Sequence, residues 1–210
     1  MWCVCDEMLC LHHITATLGD LWRFDGVGND PADPSAANFE GMPFVFMSGD
    51  RETDGVPDYC ARPPCTSPGI HPGSRYGGTG WAQRDGRLWL LGGRGLANAD
   101  TNARCSSACG YLADYWSVDA RDGSWTWEGG SARDSSGTVY ANADGQHEHP
   151  GSRMMAAGWT DGRHDMAYLL GGLGHVSHTQ GGQMNDLWAF NMTLVSNVLL
   201  PSAVSFLVFS

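Results

Sequence analysis

The chain has 210 residues and a formal net charge of −11, with only 12 lysine and arginine residues. Because a protein that binds a phosphate backbone needs clustered basic side chains, this composition argues against a nucleic-acid partner. The 29 glycines and nine tryptophans favour an all-β fold, since glycine punctuates short strands and tryptophan fills the space between packed sheets.

The chain begins with a stretch, residues 1–17, that fits no predicted element. Its start, Met1–Glu7, lacks the basic region and the apolar run of a signal peptide. Residues 18–50 are predicted to form half of a sheet, with one strand at Leu18–Asp25 and another at Phe44–Gly49. An insertion rich in Pro, Asn and Asp separates these two strands.

Two pairs of cysteines lie in polar, loop-like segments: Cys60 with Cys65, and Cys105 with Cys109. Disulfides within each pair suit an oxidising compartment and favour a secreted or extracellular location. Free thiols in a cytosolic protein and a single link between the pairs remain open. A zinc site made of all four is disfavoured, because neither spacing is that of a zinc knuckle. The glycosylation acceptor pattern at Asn191 matters only if the chain is secreted.

A complete four-stranded antiparallel sheet is predicted over residues 71–131. Glycine turns at Asp85-Gly86 and Asp122-Gly123 are strong hairpin signals. The short apolar run Leu88–Leu91 is typical of a strand buried on both faces. The four predicted strands are Arg75–Gln83, Leu88–Leu91, Tyr111–Asp119 and Ser124–Trp127.

The opening of this sheet recurs later in the chain. The sequence His71–Arg75 is repeated as His149–Arg153, and each copy is followed by the same order of landmarks. The recurring landmarks are an apolar strand, a Gly-Gly pair, and an aromatic strand with an Asp two residues before a Trp. Residues 149–193 therefore form a third, partial sheet. Ordered self-similarity of this kind is the signature of a repeat architecture.

This series of landmarks resembles the kelch repeat, whose units form the blades of β-propellers, the broader group that includes the central domain of galactose oxidase. The resemblance implies an incomplete kelch-type propeller of about two to three four-stranded blades: a half blade, a full blade and a partial blade. The residues that carry the structural pattern are Arg75, Gly92, Gly93, Trp116, Trp125, Trp127, Arg153, Gly171, Gly172 and Trp188.

The last unit departs from the pattern. Asn197 stands where the family has a tryptophan, and residues 194–210 form an apolar tail that is short of a full membrane span. Propellers close with four to eight blades. We therefore expect a fragment of a longer protein, or a chain whose missing blades come from other copies; membrane association through the tail stays open.

Long polar segments at Arg51–Ile70, Gly95–Gly110 and Ala132–Glu148 are predicted to cluster on one rim, where binding residues concentrate. The candidate binding residues are Arg94, Asp100, Arg104, His175 and His178. The run His147-Glu148-His149 has the alternation of a metal site, but His149 opens the repeat, which favours a structural role. No metal or cofactor is predicted.

Two functions of different class follow. The first is a non-enzymatic module that binds a protein, peptide or glycan through its rim loops. The second is a copper oxidase of the galactose-oxidase type, which the resemblance would support only with two histidines, two tyrosines and a nearby cysteine in matching positions. No such constellation can be placed, so an enzyme is the less favoured interpretation. An extracellular adhesion or structural domain is a weaker alternative.

Overall fold

The computed structural model describes residues 18–24, 44–97, 109–140, 148–161 and 165–192, and within these ranges every regular element is a strand. No helix in this part of the chain is long and apolar enough to cross a membrane. The strands are β1 (Leu18–Phe24), β2 (Phe44–Thr53), β3 (Arg75–Tyr76), β4 (Thr79–Ala82), β5 (Arg87–Leu91), β6 (Arg94–Gly95), β7 (Gly110–Tyr111), β8 (Ala113–Asp119), β9 (Trp125–Ser131), β10 (Arg153–Met154), β11 (Ala157–Thr160), β12 (Met166–Ser177) and β13 (Gln180–Asn191).

The middle sheet has the predicted form of a four-stranded antiparallel meander in the order β4-β5-β8-β9. Both predicted hairpin glycines have positive φ, 95° at Gly86 and 76° at Gly123. Other residues rarely adopt this conformation, which explains the Asp-Gly sequence at each turn. A bulge between Tyr115 and Trp116 lets β9 continue past its glycines to Ser131.

Both faces of the middle sheet are covered, as predicted for Leu88–Leu91. On one face, Trp89 and Leu91 pack with Leu169 and Trp188 of the last sheet. On the other face, Leu88 and Leu90 contact a cluster built around Trp116 and Trp127, which Leu21 of β1 joins. The middle and last sheets therefore lie face to face.

The last sheet is antiparallel, with β12 paired to β10, β11 and β13. Both His175 and His178 are predicted to be rim-loop residues. This is wrong for His175, because β12 continues through the glycines to Ser177. The glycines bend the strand without ending it, with φ of 64° and 100°. Only His178 lies in the turn.

The equivalent glycine pair in the middle sheet ends β5 as predicted. Gly92 and Gly93 have φ of 60° and 100°, and after them the chain enters a separate three-stranded sheet in the order β3-β6-β7. A Cβ at Gly92 would lie 2.5 Å from the carbonyl oxygen of Arg153. Glycine is therefore required where the backbones of the two neighbouring units touch.

The segment after β2 does not form a free rim loop, which corrects the prediction for Arg51–Ile70. Cys65 forms an isolated antiparallel bridge to Trp127 of β9, and Tyr59 and Ile70 pack into the cluster around Trp116. The predicted disulfide joins Cys60 and Cys65. This segment therefore covers part of a face of the middle sheet.

The two outermost sheet faces of the described structure expose large apolar side chains. In the first sheet, formed by β1 and β2, Trp22 is 43% exposed and Val45 is also exposed. In the last sheet, Trp159 is 44% exposed, and Leu170 beside it is exposed to the same degree. Monomeric soluble proteins rarely leave contiguous surfaces of this kind open to water.

Candidate functional site

The two repeat arginines make the same buried contacts in successive units. Arg75 donates from Nη1 and Nη2 to the two carboxylate oxygens of Asp114, at 2.7 and 2.8 Å, and from Nη1 to the Gly92 carbonyl at 3.0 Å. It also donates to the carbonyl of Pro72. This bidentate arrangement is the geometry that a guanidinium fork favours.

The second copy repeats this geometry closely. Arg153 donates to the carboxylate of Asp186 at 2.8 and 2.9 Å, to the Gly171 carbonyl at 2.9 Å and from Nε to the Pro150 carbonyl at 3.0 Å. Arg153 is only 1% exposed. These contacts tie the start of each unit to its glycine pair and its aromatic strand, which is the structural role that the sequence predicts for both arginines.

Each carboxylate also binds a tryptophan and a tyrosine. Trp116 donates to Asp114 at 2.6 Å and Tyr59 donates to the same oxygen at 2.8 Å. In the second unit, Trp188 donates to Asp186 at 2.6 Å and Tyr140 donates to the same carboxylate at 3.1 Å. Sequence reasoning missed both tyrosines, because Tyr59 lies 12 residues before its repeat histidine and Tyr140 only nine. We call each set of four side chains an Arg–Asp anchor.

The anchors shift the ionisation of their members. Burial opposes the charged form of Asp186, but hydrogen bonds from Arg153 and Trp188 outweigh it and hold its pKa below the usual value. Burial and the nearby charge of Asp114 raise the pKa of Tyr59. Burial works against the charge of Arg75, yet Asp114 raises the pKa of this guanidinium. The anchors are therefore fixed ion pairs with a neutral tyrosine donor.

Two of the candidate binding residues, Arg94 and His175, lie at the end of the molecule formed by β6, β7 and the last part of β12. Arg94 donates to the hydroxyl of Tyr76 at 3.3 Å, and its guanidinium carbon lies 6.0 Å from the ring centre of Tyr111. The Tyr111 ring meets the His175 ring edge to face, with centroids 5.2 Å apart. We call Tyr76, Arg94, Tyr111 and His175 the Arg94 cluster.

All four side chains of the Arg94 cluster are half-buried, so each keeps part of its surface in water. Arg94 is held from behind by a hydrogen bond from Nε to the Cys109 carbonyl at 3.3 Å. The Nδ1 atom of His175 lies 3.2 Å from the hydroxyl of Ser152. The cluster is therefore a fixed, partly exposed arrangement of one cation, two phenols and an imidazole.

The Arg94 cluster is not part of the repeat. In the last sheet, the positions of Tyr76 and Arg94 are taken by Met154 and Leu173, which pair with each other in the same register. Tyr111 precedes Asp114 by three residues, and the residue three before Asp186 is Gln183. The scaffold therefore does not need a cation or an aromatic ring at these positions, in contrast to the anchors.

The other candidate residues divide into two groups. His178 lies in the exposed β12–β13 turn, where its Nδ1 is 3.1 Å from the carbonyl oxygen of Ser135. Asp100, Arg104 and Cys105 lie outside the described residues. Cys109 is disulfide-bonded.

The histidine run considered for a metal is only partly described. His147 lies outside the described residues, and His149 accepts a hydrogen bond at Nδ1 from the backbone of Gly151 at 3.2 Å. His71 accepts the equivalent bond from Gly73 at 3.2 Å. Burial lowers the pKa of His149. Within the described ranges, no three His, Cys, Asp or Glu side chains are placed to hold a metal ion.

No protein-family model matches the chain, and no curated protein is significantly similar to it. The comparison between the chain's own repeated units therefore has particular weight. The residues of the Arg–Asp anchors recur at equivalent positions of the middle and last sheets, whereas Tyr76, Arg94 and Tyr111 have no counterpart of the same type in the last sheet.

Proposed function

We propose that this chain is a non-enzymatic interaction module of the kelch-propeller type, which binds a protein, peptide or glycan partner at the Arg94 cluster. The observation that carries the proposal is the cluster's departure from the internal repeat. A rigid scaffold that changes only a few partly exposed positions from one unit to the next is well suited to recognition.

Three features support the propeller part of the proposal. Successive antiparallel sheets stack face to face, as Trp89, Leu91 and Leu169 show. Each of the two later units contains the same buried Arg–Asp anchor. The outermost faces, at Trp22 and Trp159, expose the apolar surface that a further sheet of the same kind would cover. The propeller explains all three as consequences of one repeated wedge.

The chemistry of the Arg94 cluster supports the binding part. Arginine and tyrosine are enriched among residues that dominate binding energy, because both combine apolar area with directed hydrogen bonds. Arg94 gains orientation from the Cys109 carbonyl and from Tyr76 without an ion pair among the described residues. A partner with an acceptor group therefore meets a pre-positioned guanidinium.

The test is a screen of the purified chain on a random-peptide array and a glycan array, comparing wild type with Arg94→Ala. We expect at least one class of ligand to bind wild type and to lose about tenfold or more in affinity on substitution. Arg84→Ala is the matched control, since Arg84 is exposed at the β4–β5 turn. Equal binding by wild type and Arg94→Ala would contradict the site. If the purified chain binds stoichiometric copper and shows a radical absorption band, the copper oxidase is favoured over the binding module.

A further inference from the structure

The first sheet has the same register as the two outer strands of the middle sheet. Trp22 pairs with Phe46 across β1 and β2, just as Trp116 pairs with Trp127 across β8 and β9. In both pairs of strands, a bulge lies directly before the tryptophan. Strand β1 is therefore the counterpart of β8, and β2 is the counterpart of β9.

This equivalence makes Asp20 the counterpart of the anchor carboxylates Asp114 and Asp186. Asp20 lies two residues before Trp22 and accepts a hydrogen bond from its indole N–H at 2.5 Å. The two anchor carboxylates accept the equivalent bond at 2.6 Å. The backbone and the tryptophan therefore hold Asp20 as they hold an anchor carboxylate.

Asp20 differs from the anchor carboxylates in its other partners. Asp114 and Asp186 each bind an arginine and a tyrosine in addition to the tryptophan. Within the described ranges, no basic side chain forms an ion pair with Asp20, which is only half-buried. A carboxylate with two accessible acceptor oxygens is the preferred partner of a guanidinium fork. Asp20 is therefore suited to bind an arginine.

Strand β1 also has an edge with which no described strand pairs. In the middle sheet, β8 pairs with β9 on one side and with β5 on the other, whereas β1 pairs with β2 alone among the described strands. Such an edge is a template for an added strand. The β4–β5 hairpin, which supplies the missing type of strand, directly follows the turn that carries Arg75. One hairpin of this kind therefore brings both a strand for β1 and an arginine for Asp20.

The sequence itself has no arginine of this motif to spare. The pentapeptide occurs twice, and its arginines, Arg75 and Arg153, are bound to the carboxylates of their own units. Residues 1–17 and 25–43, on either side of β1 in the sequence, contain no lysine or arginine. A second copy of the chain would have to break one of its own buried ion pairs to donate an arginine, which is costly.

We propose that the edge of β1 and the carboxylate of Asp20 bind a β-hairpin from outside this sequence that begins with a Pro-Gly-Ser-Arg turn. The arginine of the turn pairs with Asp20, and the second strand of the hairpin pairs with β1. This surface is a sheet edge, so it is distinct from the open faces at Trp22 and Trp159. It is also separate from the Arg94 cluster and does not rest on the function proposed there.

A synthetic peptide of residues 71–95, which contains Arg75 and the strands β4 and β5, is the probe for this site. Fluorescence anisotropy of the labelled peptide, titrated with the full chain, should show saturable binding. The peptide variant Arg75→Gln should bind about tenfold more weakly or worse, because it loses the charged hydrogen bonds to Asp20. The peptide variant Arg84→Gln is the matched control, since it removes the same charge from an exposed turn and should bind like the unchanged peptide.

The chain variant Asp20→Asn tests the same contact from the other side. It should weaken binding of the unchanged peptide about tenfold and leave binding of the Arg75→Gln peptide nearly unchanged, because both substitutions remove one and the same interaction. Asp85→Asn, at the exposed β4–β5 turn, is the control variant of the chain. If Asp20→Asn perturbs the fold, the two peptide variants still decide, since they leave the chain intact.

Three results would overturn the proposal: no binding of the unchanged peptide, equal binding of the Arg75→Gln and Arg84→Gln peptides, or equal weakening of the unchanged and Arg75→Gln peptides by Asp20→Asn. Light scattering of the chain alone tests the choice of partner. Self-association that disappears in Asp20→Asn would assign the β1 edge to a second copy and contradict a hairpin from outside the sequence.

Discussion

At the scale of single residues, the Arg–Asp anchors are the contacts whose loss should cost most. A buried ion pair adds little net stability compared with an apolar pair, but removing one partner leaves an uncompensated charge. Without Arg153, Asp186 would keep Trp188 and Tyr140 as donors but lose its counter-charge and two hydrogen bonds. This makes Arg153 the best position for a test.

We predict that Arg153→Met lowers the free energy of unfolding by about 3–5 kcal/mol. Chemical denaturation followed by tryptophan fluorescence measures this value. Adding Asp186→Leu to Arg153→Met should recover part of the loss, because no unpaired charge then remains buried. The exposed variant Arg84→Ala should change stability little. A loss below about 1 kcal/mol for Arg153→Met would show that the anchor is not an energetic centre of the fold.

The lowered pKa of Asp186 gives a second prediction at this scale. Because the folded pKa lies below the unfolded value of about 4, the stabilisation is complete above that pH and is lost as the pH falls through the folded pKa. Unfolding free energies measured across this acidic range should fall with decreasing pH in wild type, and less steeply in Asp186→Asn. Equal slopes for wild type and Asp186→Asn would contradict this account.

The structural roles of several single residues could be predicted from the sequence, because local backbone geometry or an exact repeat determines them. Gly92 and Gly93 could be predicted because positive φ and close backbone approach leave no choice of residue. Arg75 and Arg153 could be predicted because they recur inside an identical pentapeptide. The tyrosines of the anchors could not, since Tyr59 and Tyr140 lie in loops of unequal length that only the folded chain brings to equivalent places.

At the scale of strands and sheets, the contact between the middle and last sheets is the central feature. Trp81 of β4 donates across it to the carbonyl of Tyr168 at 3.1 Å, and Thr79 donates to the carbonyl of Ala156 at 3.0 Å. The sheets approach so closely that a Cβ on Gly158 would lie 2.4 Å from a methyl carbon of Thr79. This glycine is therefore required by packing.

We predict that Gly158→Ala destabilises the chain by about 1–3 kcal/mol, because one added methyl group forces the two sheets apart. Gly182→Ala, in strand β13 of the same sheet, is the matched control, since a Cβ there meets nothing within 4 Å. Denaturation midpoints and the near-ultraviolet circular dichroism of the buried tryptophans report the effect. Similar stability for the two variants would mean that the sheets are not in close contact.

The disulfide gives another prediction at this scale. Cys60 and Cys65 close a short loop that holds the segment covering Trp116 and Trp127. Replacing both cysteines by serine should lower the free energy of unfolding by about 2 kcal/mol, because the denatured chain gains entropy. Denaturation of wild type and of the double variant measures the difference. If reductant shifts the two proteins equally, this disulfide is not the source of the stability.

Hydrophobic patterns predicted the strands better than the segments between them. The run Leu88–Leu91 has few alternatives to a doubly covered strand. The course of β12 past Gly171-Gly172 depends on pairing with β10 and β13, which the local sequence does not encode. For the same reason, the segment Arg51–Ile70 could not be recognised as the cover of a sheet face.

At the scale of the whole molecule, the open faces are the main consequence of the repeat. Trp81 is buried because the last sheet covers it, whereas its counterpart Trp159 is 44% exposed. Trp116 is buried, whereas its counterpart Trp22 is 43% exposed. Inside the chain, the sheet face that carries Trp81 packs against the next sheet. The exposed face at Trp159 is equivalent to this face, and the exposed face at Trp22 is equivalent to the face that such a sheet presents to its neighbour. The two exposed faces are therefore complementary to each other.

Light scattering coupled to size-exclusion chromatography tests this relation between like sheets most directly. The account predicts that the purified chain associates with increasing concentration and gives masses above 22.6 kDa. Trp159→Glu should reduce this association, because it places a charge on one of the two open faces. A constant mass of 22.6 kDa at all concentrations, unchanged by Trp159→Glu, would contradict the account.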